Sequence, residues 1–202
     1  LNVSAGQTHS IFLRSNGSIW STGGNEYGEL GIGNNINKNT PIQIGTDHHW
    51  ISIVTQSYFN LGLKSDGTLW AWGWNGDGQL GDGTGTNRRS PIQVGNDDDW
   101  VSITAGSTHS MALKSNGTLW AWGQNYTGKL GIGSFAITTS PVQVGNEHNW
   151  VSISAGGEHS LGLKSDGTIW SWGYGPSGEL GNGNFSFQTT PAQIGTDHDW
   201  VS

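Results

Sequence analysis

The sequence repeats itself every 50 residues, and this period constrains the fold more than any other feature. Tryptophan, proline and glycine keep the step without slippage, at Trp50, Trp100, Trp150 and Trp200, at Pro41, Pro91, Pro141 and Pro191, and at Gly17, Gly67, Gly117 and Gly167. A fixed period of this size predicts a solenoid, a propeller or an array of repeats. The repeats span 1–49, 50–99, 100–149 and 150–199, and residues 200–202 begin a further one, all within one β-propeller domain or part of one.

Within a repeat the apolar residues alternate with period two, which is typical of strands. In the third repeat, two alternating runs flank Asn116-Gly117, and this dipeptide predicts a β-hairpin with a type I′ turn. A further short strand opens with Pro141, and because proline cannot donate to a ladder, we expect this strand at the outer edge. No segment has the apolar periodicity that is typical of a helix. Four antiparallel strands in 50 residues make a propeller blade, so the predicted fold is all-β with four such blades.

The repeated residues resemble the regulator of chromosome condensation repeat family. The resemblance rests on these residues of the third repeat: Val101-Ser102-Ile103-Thr104-Ala105-Gly106, His109-Ser110, Leu113, Gly117, Trp120-Ala121-Trp122-Gly123, Asn125, Gly128, Leu130-Gly131 and Gly133. It implies a β-propeller, most often of seven blades. It implies no single function, because members include a nucleotide exchange factor for the GTPase Ran that binds nucleosomes, ultraviolet sensors, β-lactamase inhibitors and bacterial surface proteins. The second repeat departs from the pattern at Thr55–Asn60.

Four repeats are fewer than the seven that the resemblance implies. We therefore expect the 202 residues to form a segment of a larger ring of about seven blades. Two alternatives are the pairing of two four-blade chains into one ring and a closed four-blade ring. Further blades from the same chain complete a larger ring, and further blades from another chain complete a paired one.

Composition excludes several classes of function. The chain has no cysteine, which excludes disulfides, thiol nucleophiles and cysteine-bound zinc. Its formal net charge of −7 argues against nucleic acid as the partner, and no apolar run is long enough for insertion into a membrane. Few lysines, no cysteine and abundant asparagine, glycine and threonine favour an extracellular or cell-surface location.

No group of residues has the pattern of a catalytic, cofactor or metal site. His9, His109 and His159 recur at one repeat position, and we interpret each as bonding to the backbone of a tight corner. The acidic loops before the marker tryptophans, such as Asp97-Asp98-Asp99, match no calcium motif and are interpreted as solvated turns. The glycine-rich segments lack the helix and the Lys-Ser/Thr pair of a phosphate site. We predict no catalytic residue, no cofactor and no metal ion.

The loops between the third and fourth strands are the candidate binding surface. They vary between repeats and carry aromatic and arginine side chains, the types that are enriched at binding surfaces. The candidate residues are Tyr27, Trp74, Tyr126, Tyr174, Arg88, Arg89, Phe135, Phe185 and Phe187. The leading hypothesis is a non-enzymatic module that binds a protein partner through this loop face. A carbohydrate-binding or adhesive surface module is the alternative, and a guanine-nucleotide exchange factor is a third, from the family resemblance alone.

Overall fold

The computed structural model describes residues 2–201 as four antiparallel sheets of four strands each. The first blade contains β1 (Asn2–Ala5), β2 (His9–Leu13), β3 (Ile19–Gly23) and β4 (Lys38–Gln43). The second contains β5 (Trp50–Gln56), β6 (Phe59–Lys64), β7 (Leu69–Gly73) and β8 (Arg88–Gln93). The third contains β9 (Trp100–Ala105), β10 (His109–Lys114), β11 (Leu119–Gly123) and β12 (Thr138–Gln143). The fourth contains β13 (Trp150–Ala155), β14 (His159–Lys164), β15 (Ile169–Gly173) and β16 (Gln188–Gln193).

The blades confirm the all-β propeller architecture that the repeat predicted. Strands follow one another in sheet order within every blade, and residues 2–201 include no helix. Consequently, that part of the chain offers no helix long and apolar enough to cross a bilayer. The first strands β1, β5, β9 and β13 contact one another in succession, so they form the inner side of the arrangement, and the fourth strands form the outer edge.

The hairpins between second and third strands occur where predicted, but the type I′ turn was wrong. Gly117 N donates to Lys114 O at 2.9 Å and Lys114 N donates to Thr118 O at 3.1 Å, which defines a three-residue loop. Only Gly117 has a positive φ, 77°, whereas Asn116 does not. The loop is therefore a type I turn closed by a left-handed glycine. The Asn116 side chain instead accepts a hydrogen bond from Thr118 N at 3.1 Å, which stabilises the turn.

The fourth strands lie at the sheet edge, as the proline predicted, but they begin before it. β12 starts at Thr138, three residues ahead of Pro141. The pairing of β11 with β12 shifts register between Ala121 and Gly123, and this irregularity accommodates the residue that cannot donate.

Tryptophans fill the spaces between blades. Trp100 and Trp122 of the third blade are buried in one cluster with Leu63, Leu69 and Val94 of the second. The same arrangement joins the first blade to the second and the third to the fourth. Each of the three clusters lies between consecutive blades, and within residues 2–201 none joins the fourth blade to the first. The four blades form an open arc.

The acidic loops face lysines of the following blade, which the sequence did not reveal. Lys64 Nζ lies 2.6 Å from Asp47 and 3.6 Å from the centre of the Trp70 ring. Partial burial alone would raise the pKa of Asp47, but the hydrogen bonds from Lys64 and His49 outweigh it and lower the pKa to about 2. Lys114 repeats the arrangement with Asp97 at 2.8 Å and Asp99 at 3.0 Å. These carboxylates therefore stabilise the contact between blades and are not simply solvated.

Two of the three recurring histidines, His9 and His109, also connect blades, and for these the expected bond to a backbone corner was wrong. His9 Nε2 donates to Asn60 Oδ1 at 2.7 Å, and His109 Nε2 donates to Ser160 Oγ at 2.9 Å. In both cases the partner is a side chain 51 residues further on, in the next blade. Burial lowers the pKa of His109 to about 3, so its imidazole is neutral near pH 7.

Candidate functional site

All nine candidate residues lie on one face of the arc, which we call the loop face. This face is formed by the turns after the first strands and by the long loops between third and fourth strands. The opposite face, the link face, carries the Asn-Gly and Asp-Gly hairpins and the links between blades. Arg88 and Arg89 start β8 at the rim of the loop face, and the seven aromatic candidates lie in its long loops.

A buried asparagine fixes each of the first three long loops. Asn75 is completely buried: its Nδ2 donates to Thr84 O at 3.0 Å, and its Oδ1 accepts from Leu80 N at 2.9 Å. Asn25 and Asn125 make the equivalent bonds in the first and third blades. The fourth loop has Gly175 at this position. The loops of the first three blades are therefore held from within rather than only by their ends.

Three aromatic rings of the first two blades converge in a cleft on the loop face, which the turn after β9 of the third blade also lines. The cleft, which we call the aromatic cleft, is lined by Tyr27, Tyr58 and Trp74, with hydroxyl groups from Ser57, Ser107 and Thr108, and has a volume of about 240 Å³. The rings of Tyr27 and Tyr58 meet edge to face, with centres 5.4 Å apart. The Trp74 ring lies over Gly76, since a Cβ there would come within 2.8 Å of it.

A larger groove of about 790 Å³ shares the lining residue Tyr27 with the aromatic cleft. This rim groove is lined by Tyr27, Asn35, Asn87, Arg88 and Arg89, among others. Arg88 is held within its own loop, because its Nε donates to Asp82 at 2.7 Å. Arg89 is exposed and forms no ion pair among residues 2–201. Tyr27 lines both spaces, so they form one continuous surface.

The remaining aromatic candidates are elsewhere on the loop face. The ring of Phe187 packs edge to face on Tyr174 and on Phe135, with centres 5.5 Å and 6.5 Å apart. Phe185 in the same region is 75% exposed. Tyr126 is 65% exposed and shares neither the cleft nor this cluster. The structure thus separates the nine candidates into a group at blades one and two, a group at blades three and four, and isolated Tyr126.

A buried lysine lies beside the cleft and is satisfied by the protein itself. The Lys129 side chain is fully buried, and its ammonium donates to Thr108 Oγ1 at 2.7 Å, Gln124 Oε1 at 2.7 Å and Glu158 at 2.9 Å. Burial lowers the pKa of Lys129, and the Glu158 carboxylate opposes that shift. These three hydrogen bonds hold the loops of the third and fourth blades together.

Four of the six cleft residues, Ser57, Tyr58, Ser107 and Thr108, were not among the sequence candidates. Ser57 and Tyr58 belong to Thr55–Asn60, the segment where the second repeat departs from the others. This departure from the repeat was the signal available in the sequence. Thr55 and Asn60 of the same segment serve a structural purpose, since both lie within hydrogen-bond distance of His9. Across residues 2–201, no set of three His, Asp or Glu side chains is placed to hold a metal ion.

Two models of known protein families match the sequence. A family model described as the regulator of chromosome condensation (RCC1) repeat matches residues 16–63, 66–113, 116–163 and 166–202. A second model of the same description matches 2–29, 51–79, 100–129 and 150–179. The chain belongs to the RCC1 repeat family. No curated protein matches the sequence significantly.

Solved structures with RCC1-type propellers resemble the whole arc. Human WBSCR16 is 25% identical with a TM-score of 0.86, over 97% of this chain and 53% of its own. Prp20p of Saccharomyces cerevisiae is 24% identical with a TM-score of 0.86, over 96% of this chain and 50% of its own. The chain therefore spans about half the length of these relatives. The structure of Prp20p is described together with its binding to Gsp1p and histones, and another shows it with Kap60.

Proposed function

We propose that this chain is a non-enzymatic recognition module that binds a protein partner through the loop face of its first two blades. The observation that carries the proposal is the continuous surface of the aromatic cleft and the rim groove. It combines Tyr27, Tyr58 and Trp74 with the exposed Arg89. Tyrosine, tryptophan and arginine are the residue types that dominate the binding energy of protein interfaces.

The rigidity of the surrounding loops supports this proposal. Asn25 and Asn75, both completely buried, hold the two loops that carry Tyr27 and Trp74. A surface that is ordered before binding loses less conformational entropy when a partner arrives. Propellers present such loops on a rigid frame, and this arrangement suits recognition.

The relatives support the class of partner and not its identity. The yeast propeller is described with three protein partners, Gsp1p, histones and Kap60. Because functions differ within one fold, none of these is assigned to this chain. Neither the cleft nor the groove places a histidine beside a hydroxyl group, and the buried His9 and His109 connect blades. These features favour binding over catalysis and a site without a cofactor.

The Trp74 platform favours carbohydrate as the second candidate partner. A ring that lies flat on backbone beside the hydroxyl groups of Ser107 and Thr108 is a surface on which a sugar can stack. Nucleotide exchange on a small GTPase is a third candidate, from family membership alone. Net charge disfavours nucleic acid. The composition favours a location outside the cell, which fractionation of the source cells tests.

Selection from a random peptide library displayed on phage tests the leading proposal. Peptides enriched on the wild-type chain are expected to lose binding to Trp74→Ala and Arg89→Glu. They should retain binding to Tyr126→Ala, which removes an equally accessible aromatic ring outside the surface. Failure to enrich any peptide would contradict the proposal. So would enriched peptides that bind Trp74→Ala and Arg89→Glu as well as the wild type. Parallel glycan-array, GTPase nucleotide-release and duplex DNA mobility assays are expected to be negative.

A further inference from the structure

We propose that the aromatic cleft binds a proline-rich segment in the polyproline II conformation, an inference that rests on the proposed protein-binding function. Such segments dock in grooves lined by aromatic rings, and they lose little entropy because the chain is already extended. Size, electrostatics, hydrogen-bonding capacity and preorganisation of the cleft each support this assignment.

The size of the cleft suits peptide side chains rather than a cofactor. Its volume of about 240 Å³ is smaller than the roughly 300–1,000 Å³ of small-molecule sites. Tyr27 also lines the rim groove, so a chain that passes through the cleft can continue along that groove. A segment of several residues can therefore place one or two rings in the cleft and extend beyond it.

The lining selects an uncharged occupant. Its six residues are Tyr27, Ser57, Tyr58, Trp74, Ser107 and Thr108, and none is charged, although the chain as a whole carries −7. The Lys129 ammonium, which donates to Thr108 Oγ1 at 2.7 Å, is already paired with Glu158. An ionic side chain buried in the cleft would therefore lose its hydration without gaining a free counter-charge. The cleft has no carboxylate or amide side chain that could hold the several hydroxyl groups of a sugar in place. The pyrrolidine ring of proline needs no counter-charge and has no hydroxyl groups that require partners, and it packs on aromatic faces.

The hydrogen-bonding groups of the cleft also match proline. Within residues 2–201, no other group accepts from the Tyr27 hydroxyl, the Tyr58 hydroxyl or Trp74 Nε1. By contrast, the indole of Trp70 donates to Thr68 at 2.8 Å and that of Trp122 donates to Gln79 O at 2.9 Å. These three donors of cleft residues are therefore not used within the described chain. A proline-rich chain offers carbonyl acceptors and lacks N–H groups that would need partners of their own.

The backbone beneath the cleft is held in an unusual conformation. Ser57 has φ of 47°, and it is the one non-glycine residue with positive φ among those that the structure describes. Its carbonyl accepts from Gln7 N at 2.9 Å, and the next carbonyl, of Tyr58, accepts from Trp74 N at 2.9 Å. The first bond holds the turn against the first blade, and the second fixes Tyr58 relative to Trp74. A left-handed serine costs free energy and occurs at the same corner where the repeat is interrupted.

Fluorescence anisotropy with a labelled decaproline peptide tests the inference on the 202-residue chain. We expect saturable binding to the wild type and no binding of a Gly-Ser peptide of equal length. Trp74→Ala and Tyr58→Ala should each weaken decaproline binding about tenfold or more, since each removes a ring of the cleft. Tyr126→Ala and Tyr174→Ala, which remove rings outside the cleft, should change it less than about twofold. Thermal melts verify that all four variants fold.

Three kinds of result overturn the inference, each in a different way. Absence of decaproline binding, or binding that Trp74→Ala and Tyr58→Ala leave intact, rejects the aromatic cleft as a polyproline site. If display-selected peptides depend on Trp74 but lack proline, this inference fails and the proposed protein-binding function stands. Binding of a soluble oligosaccharide that depends on Trp74 overturns both in favour of the carbohydrate alternative.

Discussion

A single glycine in each hairpin determines how the hairpin contacts the link to the next blade. Gly117 adopts a left-handed φ of 77°, and its carbonyl accepts a hydrogen bond from Trp150 N at 3.2 Å. A side chain at Gly117 would collide with the His148 carbonyl. The glycine is required both for the turn and for the close approach of the link.

Replacing Gly117 with valine is expected to destabilise the chain more than backbone strain alone can explain. Gly95 is the matched control, because it has φ of 66° and open space around its missing side chain. Gly95→Val should cost about 1–3 kcal/mol from strain, and Gly117→Val at least about 1 kcal/mol more, from displacement of the link. Urea unfolding measures both. Equal losses would contradict the contact with His148.

His109 makes stability depend on pH. Its pKa is lowered by burial to about 3, below the 6.5 of an unfolded histidine. Above pH 6.5 both states are neutral and nothing is lost. As pH falls from 6.5 towards 3, only the unfolded state binds the proton, so stability decreases, by about 2 kcal/mol at pH 5. His109→Gln should flatten this slope in urea unfolding, whereas His198→Gln, exposed on the link face, should not. Identical slopes would reject the assignment.

At the scale of strands and loops, the sequence predicted what repeats locally and missed what lies between repeats. The alternation, the hairpins and the outer position of the Pro141 strand follow from local rules on strands, turns and proline. The bond from His9 to Asn60 and the pairing of Lys64 with Asp47 join residues in different blades, which no local pattern exposes. Two of the three rings of the aromatic cleft, Tyr27 and Trp74, were sequence candidates. Tyr58 was not, because it lies where the second repeat departs from the pattern.

The lysine between two tryptophans is an interblade element whose contribution can be measured. Lys114 Nζ lies 4.8 Å from the Trp100 ring, 5.1 Å from the Trp120 ring and 2.8 Å from Asp97. We expect Lys114→Met to cost about 1 kcal/mol, since it removes cation–π contacts of a mostly buried ammonium together with ion pairs to two partly exposed carboxylates. Lys38→Met, at a half-buried lysine without an ion pair in the described chain, is the control and should be near neutral. Urea unfolding of the two variants decides, and equal effects would contradict the interblade role.

At the scale of the whole molecule, the two ends of the arc present the faces that are covered elsewhere. Leu61 and Leu63 of the second blade are buried by the third, whereas Leu161 and Leu163 of the fourth blade are partly exposed. Val3 in the first blade is 76% exposed. Apolar sheet faces of this kind favour association, either with further blades or with another chain.

The 202-residue chain on its own is therefore expected to associate through its terminal blades. Light scattering over a range of concentrations should give masses above the 21.5 kDa of one chain. Leu163→Lys should reduce association, because it places a charge on the exposed face of the fourth blade. Val101→Lys alters a residue that is 57% exposed on an inner strand away from both ends, and should leave association unchanged. A monodisperse 21.5 kDa species at every concentration would contradict association through the terminal blades.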